Sequence, residues 1–395
     1  MINFINEKIL LSIQDYYKGY NIKNDLAFLM KSETWTLDRL EKYQNKKLQR
    51  LIDHVYCNVP FYKNIFDENG ITPSDIETKE DLKKLPILNK NDIRKGFKDG
   101  SLFSKNFNKN ELILNSSSGS TGEPLQFYLT KKADSFKKAT AIRGWYWMNY
   151  RLGDKILRVS PIPRGGTIKK IQDNVTRTNY FYTPQLTTDV IQSLVEEMIN
   201  FKPKVLRIYP DPLNYLSEYL NQKKVEIKFI KSINTTGSTL LPETRLKAEK
   251  LFNCKVYDSF SCEGGAVVFE KPEDGCYYSA MEYAITEVLD QNGDDTNKGR
   301  LVTTDLWNYA TPFIRYDTQD IVELSETSHP LSLKAIKKIH GRQSDVLVTA
   351  KGQLLYVNNF TGIFQWIEEV EQFQIHQIEK NKFVLNLITN DKYNV

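Results

Sequence analysis

The chain carries 54 Lys+Arg against 49 Asp+Glu over 395 residues, a formal net charge of +5 at pH 7. A balance this close, with no dense basic block, points away from nucleic acid and from an acidic membrane surface as partners. Its four cysteines, Cys57, Cys254, Cys262 and Cys276, form no CxxC pair and are too few for a disulfide framework, which fits a reducing cytoplasm.

The opening residues MINFINEKILLSIQDYY lack a basic leader and hold only a short apolar stretch, so neither a signal peptide nor a membrane span is expected. The length suits two or more lobes. Residues 1–58 read as helical. From Leu37 and Leu40 to Leu48, Leu51, Ile52 and Val55, apolar residues recur mostly three and four apart. Val59-Pro60 breaks this run, and Gly70, Pro73 and Pro86 divide the segment beyond it into short helices and turns. Next comes Asn115 to Thr130, NSSSGSTGEPLQFYLT. Leu125 to Leu129 alternates like a strand, so the Ser/Gly cluster before it reads as a hairpin turn. Such a turn can bring backbone N–H groups and hydroxyls close to an anion, and it can equally be a flexible surface loop. It is no Walker A loop, because Gly122 is followed by Glu123-Pro124 rather than by Lys and a helix.

Residues 131–150 read as a helix rich in aromatics (Trp145, Tyr146, Trp147, Tyr150). Lys155 to Val159 reads as a buried strand, and Arg164 to Thr167 as a turn. Amphipathic helices over 189–201 and 211–224 flank the strand Val205 to Tyr209. Alternation of this kind predicts βαβ units and a largely parallel sheet. Two more strands run into small-residue loops. Lys231 to Asn234 leads to Thr235-Thr236-Gly237-Ser238, and Lys255 to Asp258 leads to Ser259-Phe260-Ser261-Cys262-Glu263-Gly264-Gly265. A helix from Pro242 to Phe252 separates them. In an open α/β sheet such loops border the ligand crevice. A strand over Gly299 to Thr304 comes next, then Thr311-Pro312-Phe313-Ile314-Arg315-Tyr316-Asp317-Thr318-Gln319-Asp320-Ile321 and Ile339-His340-Gly341-Arg342-Gln343-Ser344-Asp345. A strand near Val346, a helix through Trp366 and a strand pair around Phe373–His376 and Phe383–Ile388 complete the predicted elements.

Several of these stretches together resemble the adenylate-forming ligases. Ser117 to Pro124 is similar to their phosphate loop, and the Asp320 segment to their Pro-x-Ile-Arg-Tyr-x-Thr-x-Asp motif. The run VPFYKNIF…GITPSDIETKEDLKKLPILNKNDIR resembles one branch, the phenylacetate–CoA ligases and the CapK-like proteins found with surface-polysaccharide genes. The resemblance covers about Trp35 to Ile388. It implies an α/β fold with a large domain over 1–343, helical over 1–100, of βαβ subdomains and a β-barrel-like part. A small α+β lobe over 344–395 would come after it. Only the opening half of that lobe is expected here, 395 − 344 = 51 residues after Ser344. The lobe's late lysine has no match among Lys380, Lys382 and Lys392.

The same resemblance assigns roles. Ser117, Ser118, Gly119, Ser120, Thr121 and Gly122 would clamp the β- and γ-phosphates of ATP. Thr236, Gly237 and Ser238 would form the adenine-side loop, with Asp258, Ser259 and Phe260 also at the nucleotide. Phe260 stands for the motif's usual Tyr, and Glu263 for the Glu that helps hold Mg²⁺, in a motif one residue shorter than usual. Asp320 would bind both ribose hydroxyls. Arg342 would contact the nucleotide phosphate or ribose, and with Glu263 forms the catalytic pair. Ser344 stands at the hinge in place of the usual Asp. The aromatic helix over 131–150 would lie near the acyl pocket. Where relatives carry a zinc-binding Cys/His cluster, Lys271 and Tyr278 stand instead, so zinc is not expected.

The implied chemistry is attack of a substrate carboxylate on the α-phosphorus of ATP. Acyl-AMP and pyrophosphate result, and the acyl group passes to CoA or to an amine or hydroxyl acceptor, such as a saccharide precursor. A homodimer stays open. Two other readings stand beside it: a nucleotide or acyl-AMP binder without full turnover, and an acyl transferase using a preactivated donor. The Asp320 motif speaks against the second.

Overall fold

The structure is a computed structural model. It describes residues 11–116, 125–161, 163–164, 166, 173–174, 176–183, 186–262, 267–271, 274–326, 335–342, 346–348, 354–356, 367, 369–379 and 381–390.

The N-terminal helices obey the sequence pattern. Thr36 caps the helix Leu37–Asn58 by accepting the Arg39 N–H, and Leu40, Leu48, Leu51, Ile52 and Val55 are buried along one stripe. The helix stops where the sequence requires, at Val59, because Pro60 lacks an N–H and opens the next helix, Pro60–Glu68. From the same stripe Gln44 donates its amide to the Met281 and Ala284 carbonyls at 3.1 and 3.0 Å, tying the helix to distant β-structure. Asn89 and Asp92 form a capping box that starts the helix Lys90–Lys98.

β1 (Ile113–Ser116) and β2 (Gln126–Leu129) pair antiparallel, Ser116 facing Gln126. The Ser/Gly cluster therefore connects two strands of a hairpin. Thr130 caps the helix Lys131–Trp147, which buries Phe136, Ala139 and Gly144. Phe136 stacks on Trp307 at 3.7 Å between ring centroids. Gly144 is required by a close approach. A Cβ there would lie 2.2 Å from the Phe269 ring.

The main sheet is built from β3 (Ile156–Ser160), β4 (Thr178–Tyr182), β5 (Val205–Ile208), β6 (Ser232–Thr236), β7 (Lys255–Ser261), β8 (Val267–Glu270), β9 (Tyr277–Ser279), β10 (Ala284–Leu289), β11 (Lys298–Asp305), β12 (Tyr316–Leu324) and β13 (Ile336–Arg342). Its order is β10-β11-β12-β13-β9-β8-β7-β6-β5-β3-β4. β4, β3, β5, β6 and β7 are parallel, and the helices Thr188–Phe201, Pro210–Lys223 and Pro242–Phe252 make the crossovers. From β7 onward the pairing is antiparallel. The parallel part and the antiparallel part expected as barrel-like thus share one eleven-stranded sheet. β14 (Val346–Val348) pairs with β15 (Leu354–Tyr356), and β16 (Val370–Glu379) with β17 (Lys382–Thr389), each pair forming its own small sheet. Most of the helix expected through Trp366 lies outside the described residues. Among the described residues no helix is long and apolar enough to cross a membrane.

Candidate active site

Among the described residues, two of the expected nucleotide segments come together, the loop after β6 and the end of β13. Asp320 on β12 and Arg342 on β13 are direct cross-strand partners. One residue before Arg342, Gly341 adopts a φ of +99°, and a Cβ there would sit 3.8 Å from the Thr239 hydroxyl. The loop after β6 therefore touches the strand carrying Arg342.

The placement of Asp320 has a local cause. Asp317 accepts the Gln319 N–H at 2.8 Å, and Gln319 takes a φ of 65°. The β11–β12 register shifts between Arg300 and Val302, the mark of a bulge. Thr318 turns its hydroxyl to the Leu301 carbonyl at 2.9 Å and accepts the Asp320 N–H at 3.1 Å. Arg300 braces Asp317 at 3.2 Å. The motif's Arg315 is structural. Buried, with a φ of 49°, it pairs with Glu287 at 2.9 and 3.2 Å and donates to the Leu85 carbonyl at 2.7 Å. Leu88 completes this clasp. Its N–H donates to Arg315 and its carbonyl accepts from Asp317, holding the N-terminal segment against β12.

At the end of β6, Thr236 is half-buried while Gly237 and Ser238 are exposed. Gly237 is irreplaceable on two counts. Its φ is +90°, and a Cβ would come within 2.3 Å of the Tyr209 ring. Tyr209, which the sequence did not single out, is thus part of this wall.

The neighbouring strand differs from expectation. Ser259, Phe260 and Ser261 belong to β7 and pair with β8, so the loop foreseen from Ser259 begins only after Ser261. Phe260, expected against adenine, packs beside the cluster of Val268, Tyr277 and Val322. Ser259 points inward, donating to the Thr235 carbonyl at 2.9 Å. Asp258, expected at the nucleotide, is buried with both oxygens engaged. Oδ1 accepts the Thr235 hydroxyl at 2.6 Å and Oδ2 the Tyr277 hydroxyl at 2.8 Å. Burial pushes its carboxyl up to about 6. Its N–H donates to Glu270, which also holds Arg245 at 2.9 Å. This network locks β6, β7 and β9 beneath the loops.

Ser117, Ser118, Gly119, Ser120, Thr121, Gly122 and Glu263 lie outside the described residues, as does the side chain of Arg342. Their carriers are firmly set. Thr311 receives the Tyr128 N–H and returns a bond to the Tyr128 carbonyl at 2.7 Å, and Asn308 donates to the same carbonyl. β2 is thereby stitched to the turn that feeds β12. Among the described residues no group of three or more His, Cys, Asp or Glu is placed to hold a metal ion.

This architecture is that of the adenylate-forming ligases. 2-Hydroxyisobutyryl-CoA ligase in its postadenylation state superposes with a TM-score of 0.72 at 18% identity, covering 91% of this chain and 80% of that one. No family model matches the sequence. Among curated proteins, phenylacetate–coenzyme A ligase of Thermus thermophilus is 36% identical over 365 residues, spanning 86% of this chain and 78% of its own length. Protein CapK of Staphylococcus aureus is 25% identical over 371 residues, 90% of this chain and 80% of its own length. The chain belongs to the phenylacetate–CoA ligase family, and it is an AMP-forming carboxylate ligase.

Proposed function

We propose that the chain binds ATP across β6, β12 and β13 and converts a carboxylic acid to its acyl-adenylate, with CoA as the acyl acceptor, as the names of its ligase relatives suggest. The observation that carries this is the Asp320–Arg342 cross-strand pair set against the loop after β6. An ionised carboxylate offers two oxygens, one for each ribose hydroxyl. Arg342 beside it would meet the phosphate with donors in a fixed fork. Catalysis of this kind is mainly positioning and charge stabilisation. In this reading Ser117, Ser118, Ser120 and Thr121, with Gly119 and Gly122, hold the departing pyrophosphate, while Thr236 and Ser238 border the base. Asp258, Ser259 and Phe260 act from behind, fixing the strand ends.

Mg²⁺ suits this donor set. It commonly takes one or two carboxylates plus phosphates and water rather than a protein cage, and Glu263 would supply the carboxylate. When bound, it would offset the charge of the phosphates.

The test is calorimetric titration with AMP and ATP, then pyrophosphate exchange over a panel of acids. Asp320→Ala should weaken AMP binding by the loss of two charge-assisted hydrogen bonds, each about 1.5–3 kcal/mol. Unchanged affinity would remove the ribose assignment.

A further inference from the structure

The parallel strands carry a polar row that the nucleotide site does not use. Tyr180, Arg158, Arg207, Asn234 and Tyr257 stand abreast on β4, β3, β5, β6 and β7, each the registered partner of the next. Registered residues of a parallel ladder share a face. One residue away, Leu157 and Leu206 fill the core behind the sheet. Two residues back, Ile156 and Val205 pack in the same cluster as Phe136 and Tyr146 of the aromatic helix. The row therefore lies on the face the aromatic helix covers, and the Arg207 guanidinium sits 5.2 Å from the Trp145 ring centroid.

Among the described residues no carboxylate is bonded to its two guanidinium groups, although Asp173 lies near enough to act on Arg158. The side chain of neither Arg158 nor Arg207 has a hydrogen-bond or ion-pair partner among the described residues. Asp173 is the one acid in the sequence between Lys155 and Asp189. It is held by Arg164 at 2.6 and 2.7 Å. Burial, and then Arg158 beside it, pushes Arg207 down to about 9, and burial together with Arg164 lowers Arg158. Both stay charged at neutral pH. Both are half-buried rather than sealed in the core. Next to Arg207, fully buried Asn234 donates its amide to the Tyr257 carbonyl at 3.1 Å, while its Oδ1 has no partner among the described residues. Two enclosed like charges and an unused acceptor destabilise an empty protein. A ligand with an anionic group and a nearby hydroxyl or amide donor would satisfy all three.

The row also lies in the right place. Arg207 is two residues before Tyr209, whose ring packs on Gly237 of the nucleotide loop. Two residues along a strand span about 6.6 Å. We propose that Arg158, Arg207 and Asn234 form a second anion subsite in the acyl pocket, so that the acid this enzyme activates bears a further carboxylate or phosphate away from the reacting carboxyl. This deepens, and rests on, the adenylation reading above. A phenylacetate-like acid has no group that would require two arginines.

Thermal unfolding of the full chain at fixed ionic strength tests it. The dianionic probes are malonate, succinate, glutarate and inorganic phosphate. Butyrate and phenylacetate are the monoanionic ones. Wild type is compared with Arg158→Met and Arg207→Met, each with and without AMP. At least one dianion should raise the Tm by several degrees beyond the monoanions, and that excess should vanish in both variants while the AMP-induced rise persists. A dicarboxylate that acts where phosphate does not assigns a dicarboxylic acid, and the reverse a phosphorylated one. Arg207→Met should itself melt no lower than wild type without ligand. If it melts lower, Arg207→Lys serves instead and must keep the preference for dianions. Equal responses to both probe classes, or a dianion response that survives in the Met variants, overturns the subsite with adenylation untouched. Loss of the AMP response in wild type would strike the nucleotide reading instead.

Discussion

Asp258 shows how a buried carboxylate beside a ligand crevice can set the pH dependence of stability. Burial raises it from an ordinary value of 3.8 to about 6, against the lowering effect of its Thr235 and Tyr277 hydrogen bonds. The native state therefore takes up this proton more readily than the unfolded chain. Its favourable contribution is complete below about pH 4 and is lost as the pH rises through 6, a change of about 3 kcal/mol. Asp258→Asn should abolish that decline, so that its advantage over wild type grows from pH 4 to 6 and then levels off. Chemical denaturation at several pH values measures it, and parallel stability curves for the two proteins would exclude the effect. None of this could be read from the sequence, because Thr235 and Tyr277 lie 23 and 19 residues away. The Asp320 segment stood out in the sequence, since a whole motif surrounds it. Arg158 and Arg207 also left a trace. Each interrupts an otherwise apolar strand, in ILRV and VLRI, where parallel pairing puts the two side by side.

Gly144 sits mid-helix, where alanine is ordinarily better by about 1 kcal/mol. Here the sign should reverse, because the helix Lys131–Trp147 lies so close to β8 that a new methyl would meet the Phe269 ring at 2.2 Å. Gly144→Ala should cost about 1–3 kcal/mol by overpacking. Phe269→Leu in the same chain should recover part of that loss, giving a coupling energy in a double-mutant cycle. Additive losses would mean that the helix shifts instead. The helix itself was legible as an aromatic-rich run over 131–150. Its contact with β8 was not, since periodicity names a buried face but not what covers it. The same distinction explains β7. Ser259 and Ser261 look like loop residues, yet the ladder with Val267–Phe269 holds them in a strand, and propensity yields to pairing.

The order of the eleven strands joins segments that are remote in the chain. β13 lies against β9 through Ile336 and Tyr277, and β9 continues the sheet into β8 and β7. Sequence alternation predicted β3, β5, β6 and β7 of the parallel half, because the crossover helices between them are local, but it missed β4, and no local signal tells β13 where to pair. The two small sheets after Arg342 share no ladder with this assembly among the described residues. β16–β17 leaves Ile378 57% and Ile388 55% exposed, so it buries little apolar surface, and an isolated two-stranded hairpin is marginal in water. We therefore place the division between domains at 343/344. A chain ending at residue 343 keeps Asp320, Arg342 and every strand of the main sheet. It should stay folded within about 1 kcal/mol of the full chain, and AMP at a hundred times its Kd should still stabilise it by about 2.7 kcal/mol. Pyrophosphate exchange by the shortened chain reports separately on what residues 344–395 add to turnover. If the shortened chain binds no AMP, or unfolds at the temperature where the full chain is native, the boundary is wrong and the strands after 344 belong to the nucleotide-binding unit.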